Sequence, residues 1–302
     1  MRVLVVGSGL IGARIGAALL AARCSPVLAS RHEPAGRHPG SLPWIRLDAT
    51  DRAQCAAAVR AVEPDAVVLV HGPSDVTWCE EHPESALRDH VAAAENLTAV
   101  GRDVGVLLIS TDNVFDGTAP TYDESAAPMA ANAYGRAKLR AEETVRSRAP
   151  GATVLRVSLV YGWEPVEPAK WYNFFAACVR RLRAGRMVEA PADLWNTPVV
   201  ADDVALVACA LVRDPVGGLV HLGGPDRISR ADWASLIARE LGADPGLVVP
   251  VPRARTRYAS RPRNSCLTST VLGRHPTLRH IRLRGVVETA RAFLADERRA
   301  PW

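Results

Sequence analysis

MRVLVVGSGLIGARIGAALLAAR, Met1 to Arg23, decides the fold. The apolar run Val3 to Val6 has the length and β-branched content of a buried strand, and it ends directly in Gly7, Gly9 and Gly12, spaced as G-x-G-x-x-G. The alanine-rich stretch that follows reads as a helix. A strand, a glycine turn and a helix in that order form the opening of a dinucleotide-binding βαβ unit. The first glycine allows the tight turn, the second lets backbone N–H groups approach a pyrophosphate, the third packs helix on strand, and the helix N-terminus attracts the anion. Gly7, Gly9, Leu10, Ile11 and Gly12 are therefore the first candidate cofactor contacts.

Working outward, short β-branched runs alternate with helical segments over the first 160 residues or so, the pattern of a doubly wound parallel sheet. Strands are expected at Val3–Val6, Val27–Ser30, Ile45–Leu47, Ala66–Val70, Val106–Ser110 and Thr153–Ser158. After Gly162 the pattern changes, interrupted by Trp163, Pro165, Pro168 and Trp171. Helices are expected over Trp171–Arg183, Val199–Val212 and Ser229–Leu241, with Ser229 as an N-cap, and a strand over Leu219–Leu222. The fold class is thus α/β, a Rossmann sheet over residues 1–162 with a smaller C-terminal substrate-binding α/β region over 163–302, of which about 190–225 is expected to return to the Rossmann part.

Composition narrows the function. The 302 residues are 48% apolar and 23% charged, enough for a substantial core. Six scattered cysteines form no C-x-x-C pair, so reduced structural thiols are expected and a metal is not. No apolar stretch approaches the roughly 18 residues that span a bilayer, and a cytoplasmic protein is expected. The formal charge of +5 is concentrated late: Arg253 to Arg299 holds twelve arginines and three acids, yet only Tyr258 and Phe293 as aromatics. That composition lacks a base-stacking platform and suits a solvated basic face or a small polyanion better than nucleic acid.

Cofactor choice is read at the end of the second strand, where VLASRHE carries no acid at Ala29, Ser30 or Arg31 to hold a ribose 2′-OH. Arg31 offers a cation to a 2′-phosphate instead, so NADP(H) is favoured over NAD(H). Asp48, in LDATD, suits either the adenine end of the cofactor or the start of the next helix.

The chemistry is read from YGRAK, Tyr134 to Lys138. Residues i and i+4 share a helix face, so the ammonium can lie beside the phenol and favour its phenolate. The chain has only two lysines, Lys138 and Lys170, against 35 arginines, which makes this one conspicuous. Thr111, at the end of a strand, is placed to bond the same substrate oxygen. The aromatics Trp171, Tyr172, Phe174 and Phe175 suit either a pocket or a core, and Trp195 is expected in a pocket wall.

GSGLIG, ISTDNVFDG, YGRAK, LRVSLVYG, DLWNTPVVADDVA and RPRNSCLTST occur in an order that resembles the extended short-chain dehydrogenase/reductases, and within them the dTDP-4-dehydrorhamnose reductase family. The resemblance implies NAD(P)H-dependent reduction of a keto group on a nucleotide-linked sugar, of the 4-keto-6-deoxy kind. It implies Tyr134 as proton donor, Lys138 as ribose ligand and Thr111 as the residue orienting the carbonyl. Asn113 falls near the sugar, with Arg261 and Arg263 near the diphosphate. The chain departs from the family pattern at His71–Gly72, where an Asn-Ala-Ala run is usual, at Asn113, where a tyrosine is usual, and at His90, in place of a helix asparagine. His71 and Gly72 are nonetheless expected beside the cofactor. Two other readings stay open: a non-catalytic NADP(H)-binding subunit, like the β subunit of methionine adenosyltransferase, and a nucleotide-sugar epimerase or dehydratase. The expected partner is a small nucleotide sugar, with no nucleic acid and no membrane; homodimerisation is left open.

Overall fold

Alternation along the valine-rich runs buries both faces of a central sheet. The computed structural model describes residues 1–33, 42–99, 104–163 and 172–295. Strands β1 (Arg2–Val6), β2 (Ser25–Ser30), β3 (Trp44–Arg46), β4 (Ala66–Leu69), β5 (Gly105–Thr111) and β6 (Thr153–Val157) lie within two residues of their expected bounds. With Gly218–Leu222 they form one seven-stranded sheet in the order (218–222)-β6-β5-β4-β1-β2-β3. All its pairings are parallel. The order reverses between β1 and β4, the crevice where an open α/β sheet binds its ligand.

Helices cover both faces. Val3 and Val5 of β1 point toward α1 (Leu10–Ala21), packing with Ile15 and Leu19, while Leu4 and Val6 point to the opposite side. That side is covered by α2 (Arg52–Val62), α4 (Pro83–Thr98) and α5 (Ala133–Arg148), through Cys55, Leu97 and Val145 among others. The short helix α3 (Val76–Glu81) precedes α4. Helix α2 starts where Asp51 accepts hydrogen bonds from the N–H groups of Ala53 and Gln54, a cap worth about 1 kcal/mol.

The later helices differ in detail from the sequence expectation. Helix α6 runs Phe174–Arg183, capped by Asn173; Pro165, Pro168 and Trp171 lie outside the described residues. Helix α7 is Ala201–Arg213, because Val199–Val200 is extended and pairs with Val160–Tyr161. Helix α8, Arg230–Leu241, is capped by Ser229, whose hydroxyl accepts from the N–H of Asp232. With α6 and α9 (Val286–Ala295) it encloses a second core of Tyr161, Trp163, Phe175, Trp233 and Phe293. Much of the late basic surface is internally paired: Arg257 with Asp75, Arg284 with Asp203, Arg291 with Glu240. Arg298 and Arg299 lie outside the described residues. Among the described residues no helix is long and apolar enough to cross a membrane.

Candidate active site

The glycine turn at the end of β1 is shaped by two close approaches. Gly7 has φ +118°, a region side chains avoid, and a Cβ there would lie 2.9 Å from the backbone of Val70. At Gly12 a Cβ would lie 1.8 Å from the carbonyl oxygen of Gly7, so α1 can start this near the turn only without a side chain. Gly9, by contrast, faces open space and caps α1 with no side-chain acceptor, and no acid stands in the first turn. The first-turn N–H groups are therefore left to an anion, and this cradle fits a dinucleotide pyrophosphate.

The turn opens into a cavity of about 1350 Å³, beyond the 300–1,000 Å³ or so of a drug-sized ligand site. Gly7, Gly9, Leu10, Ile11 and Gly12 line it at one end, followed by Ser30, Arg31 and Asp48. The Ser30 hydroxyl is already committed: it accepts from Ser8 Oγ at 2.7 Å and Trp44 Nε1 at 2.8 Å and donates to the His32 carbonyl at 2.7 Å. One donor and two acceptor positions are thereby used, so this side chain braces the glycine turn against β2 and leaves cofactor contact to Ser30's backbone. Asp48 accepts from the Thr50 N–H and hydroxyl, bonds that hold its carboxyl below the usual range. It lines the cavity while Asp51 caps α2, which separates the two roles read for it.

Farther in, His71, Gly72 and His90 line the same cavity. His71 Nε2–H donates to the His90 carbonyl at 3.3 Å, and His90 Nε2–H donates to the Pro73 carbonyl at 3.1 Å. The two departures from the family pattern thus interlock. Burial, and secondarily the charge of Lys138, depress both imidazoles, His71 to about 3, so both are neutral at working pH.

The chemical end of the cavity is built where β5 meets α5. Asn132 caps α5 by accepting from Gly135 N–H at 2.8 Å, and its amide donates to Asn113 Oδ1 at 2.9 Å. Asn113 in turn donates to Thr111 Oγ1 at 3.2 Å and Asp112 Oδ1 at 2.8 Å. Tyr134, Lys138, Thr111 and Asn113 all line the cavity. Burial raises the Tyr134 phenol above its ordinary value; a hydrogen bond with Thr111 and, more weakly, the charge of Arg261 act against that. Lys138 departs from the expected phenol-facing pose: its Nζ donates to the Ile109 carbonyl at 2.6 Å. Burial brings this ammonium down to about 8, opposed by the nearby Glu142.

The far wall comes from the C-terminal region and differs from the sequence expectation. Arg261 lines the cavity, but Arg263 does not; its side chain is 65% exposed and lies 3.8 Å from Asp193. Trp195 also lies outside, beneath the Arg227 guanidinium at 4.3 Å, and Asn196 faces inward in its stead. Successive residues of a strand point to opposite sides, and here the polar one is inside. Tyr172 and Phe174 line the cavity while Phe175 belongs to the aromatic core. Sequence reading missed Arg230: buried at the start of α8, it donates to Asn196 Oδ1 at 3.0 Å and lies 4.6 Å from the Phe174 ring and 5.0 Å from that of Tyr258. Arg261 flanks the same Tyr258 ring at 4.8 Å. Burial, then Arg230's like charge, pushes Arg261 down to about 10; burial likewise lowers Arg230. Two crowded, desolvated cations make this end of the cavity suited to a polyanion.

A family model described as RmlD substrate binding domain matches residues 1–291. A dTDP-4-keto-6-deoxy-D-glucose reductase of Streptomyces niveus is 34% identical over 273 residues, covering 88% of each chain. The methionine adenosyltransferase 2 subunit beta of Bos taurus is 31% identical over 234 residues, 72% of this chain and 67% of its own. In fold, the dTDP-4-dehydrorhamnose reductase of Bacillus anthracis, solved in complex with NADP, superposes with a TM-score of 0.82 at 21% identity over 98% of this chain and 99% of that one. The match along nearly the whole length, together with the glycine turn and the Tyr134 and Lys138 pair in one cavity, makes this chain a member of the RmlD substrate binding domain family, among the extended short-chain dehydrogenase/reductases.

Proposed function

We propose that the protein is an NAD(P)H-dependent reductase of a keto group on a nucleotide-linked sugar, of the 4-keto-6-deoxy kind. The observation that carries this reading is one continuous cavity with a glycine turn at one end, Thr111, Tyr134 and Lys138 in the middle and the Arg230 and Arg261 pair at the other. A dinucleotide and a sugar diphosphate together need that much length and that order of chemistry.

Bound NAD(P)H supplies the hydride that reaches the carbonyl carbon. The chain supplies the remainder. Tyr134 donates its phenolic proton to the carbonyl oxygen, completing the alcohol, and is reprotonated from solvent. Burial holds the phenol in its protonated form before the reaction. Thr111, held by Asn113, turns its hydroxyl proton from Asp112 to the same oxygen and fixes its approach. Lys138, anchored on the Ile109 carbonyl, keeps two further N–H donors for ribose hydroxyls. Arg230 and Arg261 bind the diphosphate, and Asn196 fixes the fork of the former. Arg31, on the cavity rim where β2 ends without an acid, favours NADP(H) over NAD(H).

The similarity to a transferase subunit supports a second reading, a binding protein that keeps the cofactor and performs no turnover. Tyr134→Phe separates the two. For the reductase, turnover of a 4-keto-6-deoxy nucleotide sugar falls by a factor on the order of 10² to 10⁴ with NADPH affinity unchanged. A wild type that oxidises no NADPH with a panel of such sugars supports the binding protein.

A further inference from the structure

The apolar alternation that builds the sheet breaks at one row. On the α5 side, β5 presents Val106 and Leu108 and then Ser110, and β6 presents Val154 and then Arg156. Ser110 and Arg156 are register partners, and Arg156 is the partner of His221 on the adjoining strand. None of the three exceeds 2% exposure. Polar side chains lying abreast on a dry face need partners, and Glu142 of α5, equally buried, is the common one. Its carboxylate accepts from the Ser110 hydroxyl and, in a fork, from Arg156 Nε at 3.1 Å and Nη2 at 2.7 Å. Arg156 Nη1 also donates to His221 Nε2 at 3.4 Å. A buried ion pair stabilises little compared with apolar side chains of the same volume, so its effect lies in what it holds.

What it holds is the catalytic face of α5. Tyr134, Lys138 and Glu142 follow at four-residue steps on one stripe of the helix, and the last two are gripped by consecutive residues of β5. The Ile109 carbonyl accepts from Lys138 and Ser110 donates to Glu142, while Thr111, next along β5, lines the cavity with Tyr134. Glu142 is the only member of the stripe with a second strand behind it.

We infer that Glu142 is a positioning residue of this site: clamped between Ser110 and Arg156, it sets α5 in register on β5 and serves as the counter-charge that keeps Lys138 a cation. This rests on the reductase reading only for the use made of that cation. The titratable and charged groups that act on Lys138 are Glu142, four residues on along α5, His90 on α4 and His71 after β4, while Cys79 on α3 and Asp112 beyond β5 gather at the neighbouring Tyr134 phenol. Both histidines are neutral, and burial raises both the Cys79 thiol, to about 12, and the Asp112 carboxyl, which leaves Glu142 as the anion acting on the ammonium.

NADPH binding, followed by fluorescence from pH 6 to 10, tests this without any sugar substrate. In the wild type affinity should weaken above a midpoint near 8, where Lys138 loses its proton. In Glu142→Gln, which keeps shape and acceptor oxygen, the midpoint should move down by about one pH unit or more, and turnover should fall about threefold or more at pH 7.5 and recover at lower pH. Glu142→Asp, which keeps the charge, should recover much of the midpoint. Glu142→Gln leaves Arg156 unpaired, so the same titration is run on Glu142→Gln with Arg156→Met, where neither charge remains. An unmoved midpoint in either folded variant overturns the inference, as does a wild type with no midpoint near 8. Collapse of both variants assigns the pair to folding alone and also overturns it. A shifted midpoint in a protein that reduces no sugar overturns the reductase reading and leaves the role of Glu142 standing.

Discussion

At the scale of single residues the site depends on which polar atoms are already spent. Ser30 has no hydrogen-bonding capacity left, and the cation lining the cavity beside it, Arg31, is the residue to which we assign the choice of cofactor. Arg31→Asp should weaken NADPH by about 10- to 100-fold through loss of a charge-assisted contact and repulsion of the phosphate, and should strengthen NADH. Competitive fluorescence titration measures both; equal affinities for the two cofactors in the wild type would remove Arg31 from the site. The YGRAK spacing was legible because helix geometry alone puts Tyr134 and Lys138 on one face. The direction of the ammonium was not, because it depends on the Ile109 carbonyl, which only the packing of α5 on β5 brings within reach.

At the scale of elements, sequence and structure agree wherever the signal is local. The strand runs, the Ser229 cap and the glycine turn are each written in fewer than ten consecutive residues. The α1 start shows how tightly such a signal binds. Gly12→Ala would gain about 1 kcal/mol in helix propensity, but its Cβ falls on the Gly7 carbonyl, and overpacking of this kind costs about 1–3 kcal/mol. The clash wins, so thermal unfolding should show a lower Tm and NADPH titration a weaker Kd; a raised Tm would show that the turn relaxes. Trp195 illustrates the opposite case. In the two-residue strand Trp195–Asn196, moving the reading by one position exchanges inside for outside, and nothing nearby fixes the choice. The partners that do are remote, Ser265 and Arg230 on Asn196 and Arg227 on the indole.

At the scale of the whole molecule, the cavity joins a sheet crevice to a wall supplied from the C-terminal region, beginning at Tyr172. Arg230 and Arg261 reach it while Arg263 stays at the surface, a difference set by how the C-terminal region packs and invisible in a run of arginines. Arg230→Met should raise KM for the nucleotide sugar by about 10- to 100-fold, the worth of a buried charge-assisted contact, with NADPH affinity unchanged. Arg263→Ala should leave KM within about twofold, as expected for an exposed ion pair. Steady-state kinetics on the two variants decides it, and equal effects would move the anion site to the surface. The placement of Gly218–Leu222 beside β6 also bears on how the protein is made. A nascent chain that has emerged only as far as Gly162 presents β6 as a bare edge, its backbone unpaired on one side and Arg156 lacking the His221 imidazole. Some sixty further residues must leave the ribosome before that edge closes, so the interval of greatest exposure to aggregation falls midway through synthesis, after the cofactor half has formed and before its last strand arrives.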